Sequence, residues 1–433
     1  MMNRRKFLAS SAALAVTPAV AFQEQSSRGK LPAAIAALTN RSGEAVPIQL
    51  SEREQRVERA RALLRSNKAD ALIITTGSSL TYFTGLRWGQ SDRFFAWVLP
   101  VKGNPFLVCP AFEEARLRER TDAVPSVLPS AAKTRIHAWN EDEDPYKLLA
   151  KALRDAGIAT GKLAIEERTQ FSFSDAIAHA SPALSIVSGN PVTYGCRGIK
   201  SPAELALMQL ANSVTLSVYK AFYESAHPGM SNKEGADLIS AGFSRCGFRG
   251  AVMCQADAFT ALPHGSLQTQ MFKEGSLVLL DDGCAVEGYV SDITRMFIVG
   301  KPSGPKFDKQ RKVFDIVHAA QAAALAKARP GVPCQSIDAA ARAVITDAGY
   351  GPGYKYFAHR LGHGIGLDGH EWPYLVGGNP LPLAPGMCFS DEPGIYIPGE
   401  FGMRLEDCWH VTEDGGKMFT PPSPSLDQPF SVA

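Results

Sequence analysis

Four carboxylates in the second half of this 433-residue chain stand in two β-hairpins that ought to repel themselves. In "LLDDGCAVEGYVSDITR", Asp281 and Asp292 lie symmetrically about a turn centred between Val286 and Glu287. Residues so related face each other across an antiparallel pair, where like charges destabilise the sheet. "DEPGIYIPGEFGMRLED" repeats the pattern: Glu392 and Glu406 are symmetric about Gly399. Between the hairpins lies "AHRLGHGIGLDGHEWP", with His359, His363 and His370, and before them stands His264 in "ALPHGS". Glycines 362, 364 and 366 let the backbone approach a partner closely. Four carboxylates and an imidazole can hold divalent cations. One 2+ ion leaves them under-neutralised, whereas two ions about 3.5–4 Å apart, bridged by carboxylates, match the charge. Carboxylates with one histidine suit Mn²⁺ first, then Co²⁺, Zn²⁺ or Fe²⁺, since no thiolate enforces zinc. A water shared by two such ions ionises near neutrality and becomes a hydroxide nucleophile.

"GIGLDG", residues 364–369, fits the dinucleotide pattern G-x-G-x-x-G. That fingerprint needs a following helix to receive the pyrophosphate. Here His370-Glu371-Trp372-Pro373 follows, and Pro373 argues against a helix.

The elements that must position these residues can be read in outline. Residues 1–21 form an export signal: Arg4, Arg5 and Lys6, an apolar run too short to span a bilayer, and an Ala19-Val20-Ala21 cleavage site. The paired arginines predict a twin-arginine route to a periplasmic or secreted location, with an ordinary Sec signal as the alternative. Residues 22–48 read as a flexible lead, 49–192 as a smaller α/β domain, and 193–428 as an α+β domain whose helices cover an antiparallel sheet. Ser51 with Glu54 predicts a capping box opening the first domain. Ser201, Pro202 and Glu204 predict another, opening a helix to about Glu224. Further helices are expected over Lys233–Cys246, Lys306–Lys327 and Ser336–Asp347.

With 45 Lys and Arg against 43 Asp and Glu, the chain has no charge excess for nucleic acid or anionic membrane. Removing the three cations of the leader leaves 42 against 43. Eight cysteines include no C-x-x-C, so they read as small buried residues rather than a zinc or redox motif.

Asp281…"GYVSDITR"…"GHGIGLDGHEWP"…"EPGIYIPGEFGMRLED" resembles the aminopeptidase P, prolidase and methionine aminopeptidase group of metallopeptidases, over residues 195–425. The resemblance implies a pita-bread catalytic domain after a creatinase-type N-terminal domain, to which "TYFTGL" (Thr81–Leu86) is also similar. It implies the metal ligands Asp281, Asp292, His363, Glu392 and Glu406. Asp281 would bind one ion through both oxygens, Asp292 and Glu406 would bridge, and Glu392 would double as general base. His264 and His370 would hold the substrate and the tetrahedral intermediate. His359 matches the proline-specific branch, and Arg404 an arginine that orients the site. Trp372 and Tyr374 of "HEWPYL" offer apolar surface for the substrate ring. A homodimer is implied as well.

Two positions depart from the family pattern: Asp282 follows Asp281, and Asp391 precedes Glu392. Regular alternation directs both away from the metal face. The expected activity is hydrolysis of small peptides with proline in second position, as a dipeptidase or an aminopeptidase. The alternatives are a non-peptidase enzyme on the same fold (a C–N hydrolase or a lyase) and a non-catalytic adaptor, which the intact ligand set disfavours.

Overall fold

The computed structural model describes residues 30–123 and 135–430. The export leader expected over 1–21 lies outside them.

The smaller domain is built on a six-stranded mixed sheet. Its strands run in the order Arg135–Trp139, Phe106–Pro110, Ala96–Pro100, Ala71–Ile74, Gly161–Ile165 and Leu184–Ser188. The central strands Ala71–Ile74, Ala96–Pro100 and Phe106–Pro110 are buried throughout, which explains their unbroken apolar runs. Helix Leu50–Ser66 begins earlier than the predicted capping box. Arg53 N–H already bonds Gln49 C=O, so Gln49 is the cap and Ser51 lies inside the first turn. Helix Asn190–Arg197 crosses the expected boundary at 192, burying Val192 and Cys196 in the N-terminal core.

The lead is not free chain once it enters the described residues. Residues 33–37 form a helix whose Ile35 is fully buried, and Ile48 joins the same core as helices Pro202–Tyr223 and Asn232–Arg245. Leu31, Ile35, Leu38 and Ile48 give this strap an apolar side among small polar residues. Arg41 fastens it by donating to Ser213 Oγ at 3.1 Å.

The second domain is antiparallel wherever its strands pair. Leu277–Asp281 lies between Met253–Ala256 and Arg295–Ile298. A five-stranded sheet runs Glu371–Leu375, Gly362–Gly364, Cys388–Asp391, Asp407–Val411, Gly416–Met418, and a hairpin of Gly394–Ile397 with Phe401–Arg404 stands beside it. Helix Pro202–Tyr223 opens with the predicted capping box. Helices Asn232–Arg245, Gly304–Lys327 and Cys334–Asp347 start within two residues of the expected positions. All eight cysteines are buried and unpaired. No helix among the described residues is long and apolar enough to cross a membrane.

Candidate metal centre

The second hairpin has the predicted register. Gly394 pairs with Arg404 above Glu392 and Glu406, and Asp391 pairs with Asp407 below them, at one constant offset. The first hairpin is displaced by two residues. Its turn is Glu287-Gly288, with φ of 52° and 95°, so Val286 pairs with Tyr289 and Leu280 with Arg295. Continuing that register, Asp281 lies opposite Thr294 rather than Asp292. The Thr294 hydroxyl bridges two acids, 2.5 Å from Asp281 Oδ1 and 2.8 Å from Glu406 Oε2. Asp292 sits diagonally from Asp281, on the same face.

The five expected ligands meet at one place. Atoms of Asp281, Asp292 and Glu406 lie within 4.8 Å of one another, as do those of His363, Glu392 and Glu406, and of Asp292, His363 and His370. His363 Nε2 is 3.3 Å from Glu392 Oε1 and 3.7 Å from Asp292 Oδ2, while its Nδ1 bonds Gly364 C=O at 3.0 Å. That carbonyl fixes the proton on Nδ1 and aims the Nε2 lone pair at the acids, as a metal-ligating imidazole requires.

The electrostatics fit a cation. Burial, then Asp281, raises the Asp292 pKa well above its ordinary range, and burial with Asp292 does the same to Glu406. Burial would also raise Glu392, but His363 and the other cations hold it down to about 2. Arg404 offsets only one of the four acids directly. Its guanidinium is committed to Asp281, Thr294 Oγ1, Pro263 C=O and Tyr396 Oη. Oxygen donors with one imidazole, and two acids, Asp292 and Glu406, driven towards protonation, are a donor set that divalent ions would satisfy.

The ligands line a cavity of about 510 Å³ together with Met253, Pro263, His264, Asp282, His359, Arg360, His370 and Arg404. His264 is exposed at its wall. His370 stacks on His363, ring centres 3.7 Å apart, and burial followed by this imidazole lowers its pKa to about 4. His359 Nε2 meets Tyr396 Oη at 2.7 Å, and Arg404 donates to the same oxygen at 3.0 Å. Thr294 and Tyr396 were not singled out from the sequence. Each lies an even number of residues from an acid that was, Asp292 and Glu392, and that was the available signal.

Two readings need correction, and a third holds with a consequence. Asp282 does not follow regular alternation: its φ of 93° breaks the strand, and the residue helps line the cavity wall. Trp372 and Tyr374 do not line this cavity; Trp372 stacks on Tyr194 of the other domain at 5.0 Å, and Tyr374 lies under Arg360. Asp391 does point away, as alternation predicts, but into the interior, where neither oxygen finds a partner among the described residues. Burial raises its pKa well above normal, with Asp407 opposite adding to the shift.

Paired acids and an imidazole on adjoining antiparallel strands, behind a small mixed-sheet domain, define a metal-dependent hydrolase of the pita-bread class. Residues 206–413 match metallopeptidase family M24, and residues 56–199 match the creatinase/prolidase N-terminal domain. The chain is 35% identical over 367 residues to an Xaa-Pro dipeptidase of Lactobacillus helveticus, covering 82% of this chain and 94% of that one. The crystal structure of dipeptidase PepE from Mycobacterium ulcerans superposes with a TM-score of 0.80 at 32% identity, over 88% of this chain and 99% of that one. A prolidase from Thermococcus sibiricus gives 0.75 at 29%, over 85% and 96%. The chain belongs to metallopeptidase family M24, and it is a metal-dependent peptidase.

Proposed function

We propose that this peptidase hydrolyses the Xaa-Pro bond of dipeptides, using two divalent ions, Mn²⁺ first among them. Asp281, Asp292, His363, Glu392 and Glu406 would hold the ions. Once bound, the ions supply Lewis-acid charge that lets water ionise near neutrality and polarises a carbonyl. The chain's own groups do the rest. Glu392 accepts the proton of the attacking water, its Oε2 lying on the His359 side. His264 and His370 flank the substrate carbonyl from the cavity wall. Thr294 and Arg404 keep Asp281 in place.

Relatives named Xaa-Pro dipeptidase and prolidase support the proline preference. An Xaa-Pro amide has no N–H and so needs no acceptor for one. The observation that carries the dipeptide reading is Arg360. It lines the same cavity, half-buried, with its guanidinium 4.2 Å from the Tyr374 ring and no ion pair or side-chain hydrogen bond among the described residues. A free terminal carboxylate is the natural partner for such a group. The test compares Ala-Pro with Ala-Ala on Mn²⁺-loaded protein. Much faster cleavage of Ala-Pro is expected. Equal kcat/KM, or no cleavage of either, would overturn the proline reading in favour of a non-peptidase reaction.

We also infer export by the twin-arginine route, supported by Arg4-Arg5 and by eight buried free thiols, which suit folding in a reducing compartment first. Replacing both arginines by lysine should block export; unchanged export would point to Sec.

A further inference from the structure

His370 is carried by a loop whose start is anchored by the fully buried Ile365 but which has few backbone hydrogen bonds to its own domain among the described residues. Residues 365–370 join strands Gly362–Gly364 and Glu371–Leu375, and the pairing shifts register between His363 and Gly364. Such a bulge re-aims the side chains beside it. Within the loop the backbone bonds are few: Ile365 N–H to Cys388 C=O, Gly366 N–H to Asp368 C=O, and Gly366 C=O from Val290 N–H.

The N-terminal domain supplies what is missing. Arg197, at the end of helix Asn190–Arg197 and 6% exposed, places Nη2 2.6 Å from Asp368 Oδ2 and 2.5 Å from Glu371 Oε2. These two acids bracket His370. Arg197 is itself held by Ser79 Oγ at 3.1 Å. Ser78 donates to Asp368 Oδ1 at 2.5 Å, and Arg168 reaches the same oxygen at 2.8 Å. Lys200, just past the helix, closes the array with Nζ 2.5 Å from Glu371 Oε1. Gly366 is what lets the array close: a Cβ there would stand 2.7 Å from Glu371 Oε1 and 2.9 Å from Lys200 Cε.

A second cavity, of about 120 Å³, lies between the domains, lined by Glu167, Arg168, Tyr194 and Arg197 on one side and the 368–374 segment on the other. Among the described residues, His370 alone lines both this cavity and the one that holds the expected ligands. Its ring therefore has the acids and His363 on one side and the N-terminal domain on the other. Buried ion networks are weak sources of net stability, but their geometry is specific. A guanidinium that fixes two carboxylates three residues apart fixes what lies between them.

We propose that Arg197 is a positioning residue: through Asp368 and Glu371 it sets the loop that carries His370, so the N-terminal domain governs the placement of a group that flanks the reacting carbonyl in the catalytic domain. The proposal rests on the peptidase reading only where activity is the readout.

The experiment uses full-length Mn²⁺-loaded protein and compares wild type, Arg197→Met, Arg197→Lys and Asp368→Asn, each with and without His370→Ala. Arg197→Met should lower kcat for Ala-Pro at least about 30-fold, with KM changed less than about threefold and bound metal unchanged. Arg197→Lys should recover part of the rate, since an ammonium can meet one acid but not span both. In the His370→Ala background the Arg197 substitutions should cost little more, because a group acting through His370 loses its effect once His370 is gone. Independently of any substrate, amide hydrogen exchange across residues 365–372 should accelerate at least about tenfold in Arg197→Met while exchange in helix Pro202–Tyr223 stays unchanged. If Arg197→Met fails to fold, Arg197→Lys and Asp368→Asn carry the same comparisons. Additive losses with His370→Ala, or unchanged exchange over 365–372, would overturn the proposal. If wild type cleaves no Xaa-Pro peptide, the peptidase reading fails and the exchange result still decides this one.

Discussion

Arg360→Met removes a charge from the cavity and little else. Methionine keeps an unbranched apolar stem over Tyr374, so the stacking surface survives without the guanidinium. The arginine is half-buried and has no ion pair among the described residues, and a bound carboxylate would take one or two charge-assisted hydrogen bonds from it. Hydrogen bonds to charged groups contribute about 1.5–3 kcal/mol. At about 1.4 kcal/mol per tenfold, that is roughly 10- to 150-fold in kcat/KM. The assay pairs Ala-Pro with its C-terminal amide, which has the same scissile bond and ring but no charge. Wild type should favour the free acid by that factor, and the variant should bring the ratio of the two kcat/KM values close to one. A wild-type ratio within about threefold of one, or a ratio that Arg360→Met leaves intact, would refute the carboxylate assignment and favour an aminopeptidase acting on longer chains.

Asp292→Ala should abolish tight binding of the metal pair, because Asp292 contributes to two of the three ligand clusters; elemental analysis after exhaustive dialysis reads this directly. Arg295→Met should cost about 3–5 kcal/mol, since it strands the fully buried Asp407 carboxylate 2.6 Å away; thermal melting should show a drop of at least about 6 °C. Asp391→Asn tests the buried acid. Its folded pKa is raised, so its contribution to stability is fully present below the unfolded value near 4 and is lost as pH rises towards the folded value. The stability of wild type relative to Asp391→Asn should therefore fall steadily from about pH 4 upwards in denaturant titrations, and a pH-independent difference would show that Asp391 is not held protonated.

How the sequence revealed the site, and where it did not, follows from sheet geometry. The first turn lies one residue later than its symmetry suggested, at Glu287-Gly288, where both residues take positive φ. Moving a turn by one residue moves the register by two. A two-residue shift preserves which face every side chain occupies. The ligand set therefore survived the misreading, and only the partner of Asp281 changed, from Asp292 to Thr294. Had the register slipped by one, Asp281 and Asp292 would have lain on opposite faces. Thr294 and Tyr396 escaped notice for a different reason. Neither is charged, and each acts through atoms brought in by another strand, Arg404 and the acids for one, His359 and Arg404 for the other.

The inter-domain array lay further from reach, because no local pattern encodes it. Ser78, Arg168 and Arg197 stand 290, 200 and 171 residues from Asp368, and nothing in helix or strand period ties them together. "GIGLDGHEWP" carried the signal in part: Asp368 and Glu371 flank His370, and Gly366 marks a close approach. Read as a ligand loop, the segment accounted for the histidine and left its two acids without a role. In the folded chain those acids join the array with Arg197, and so the smaller domain reaches a cavity to which none of its described residues contributes lining.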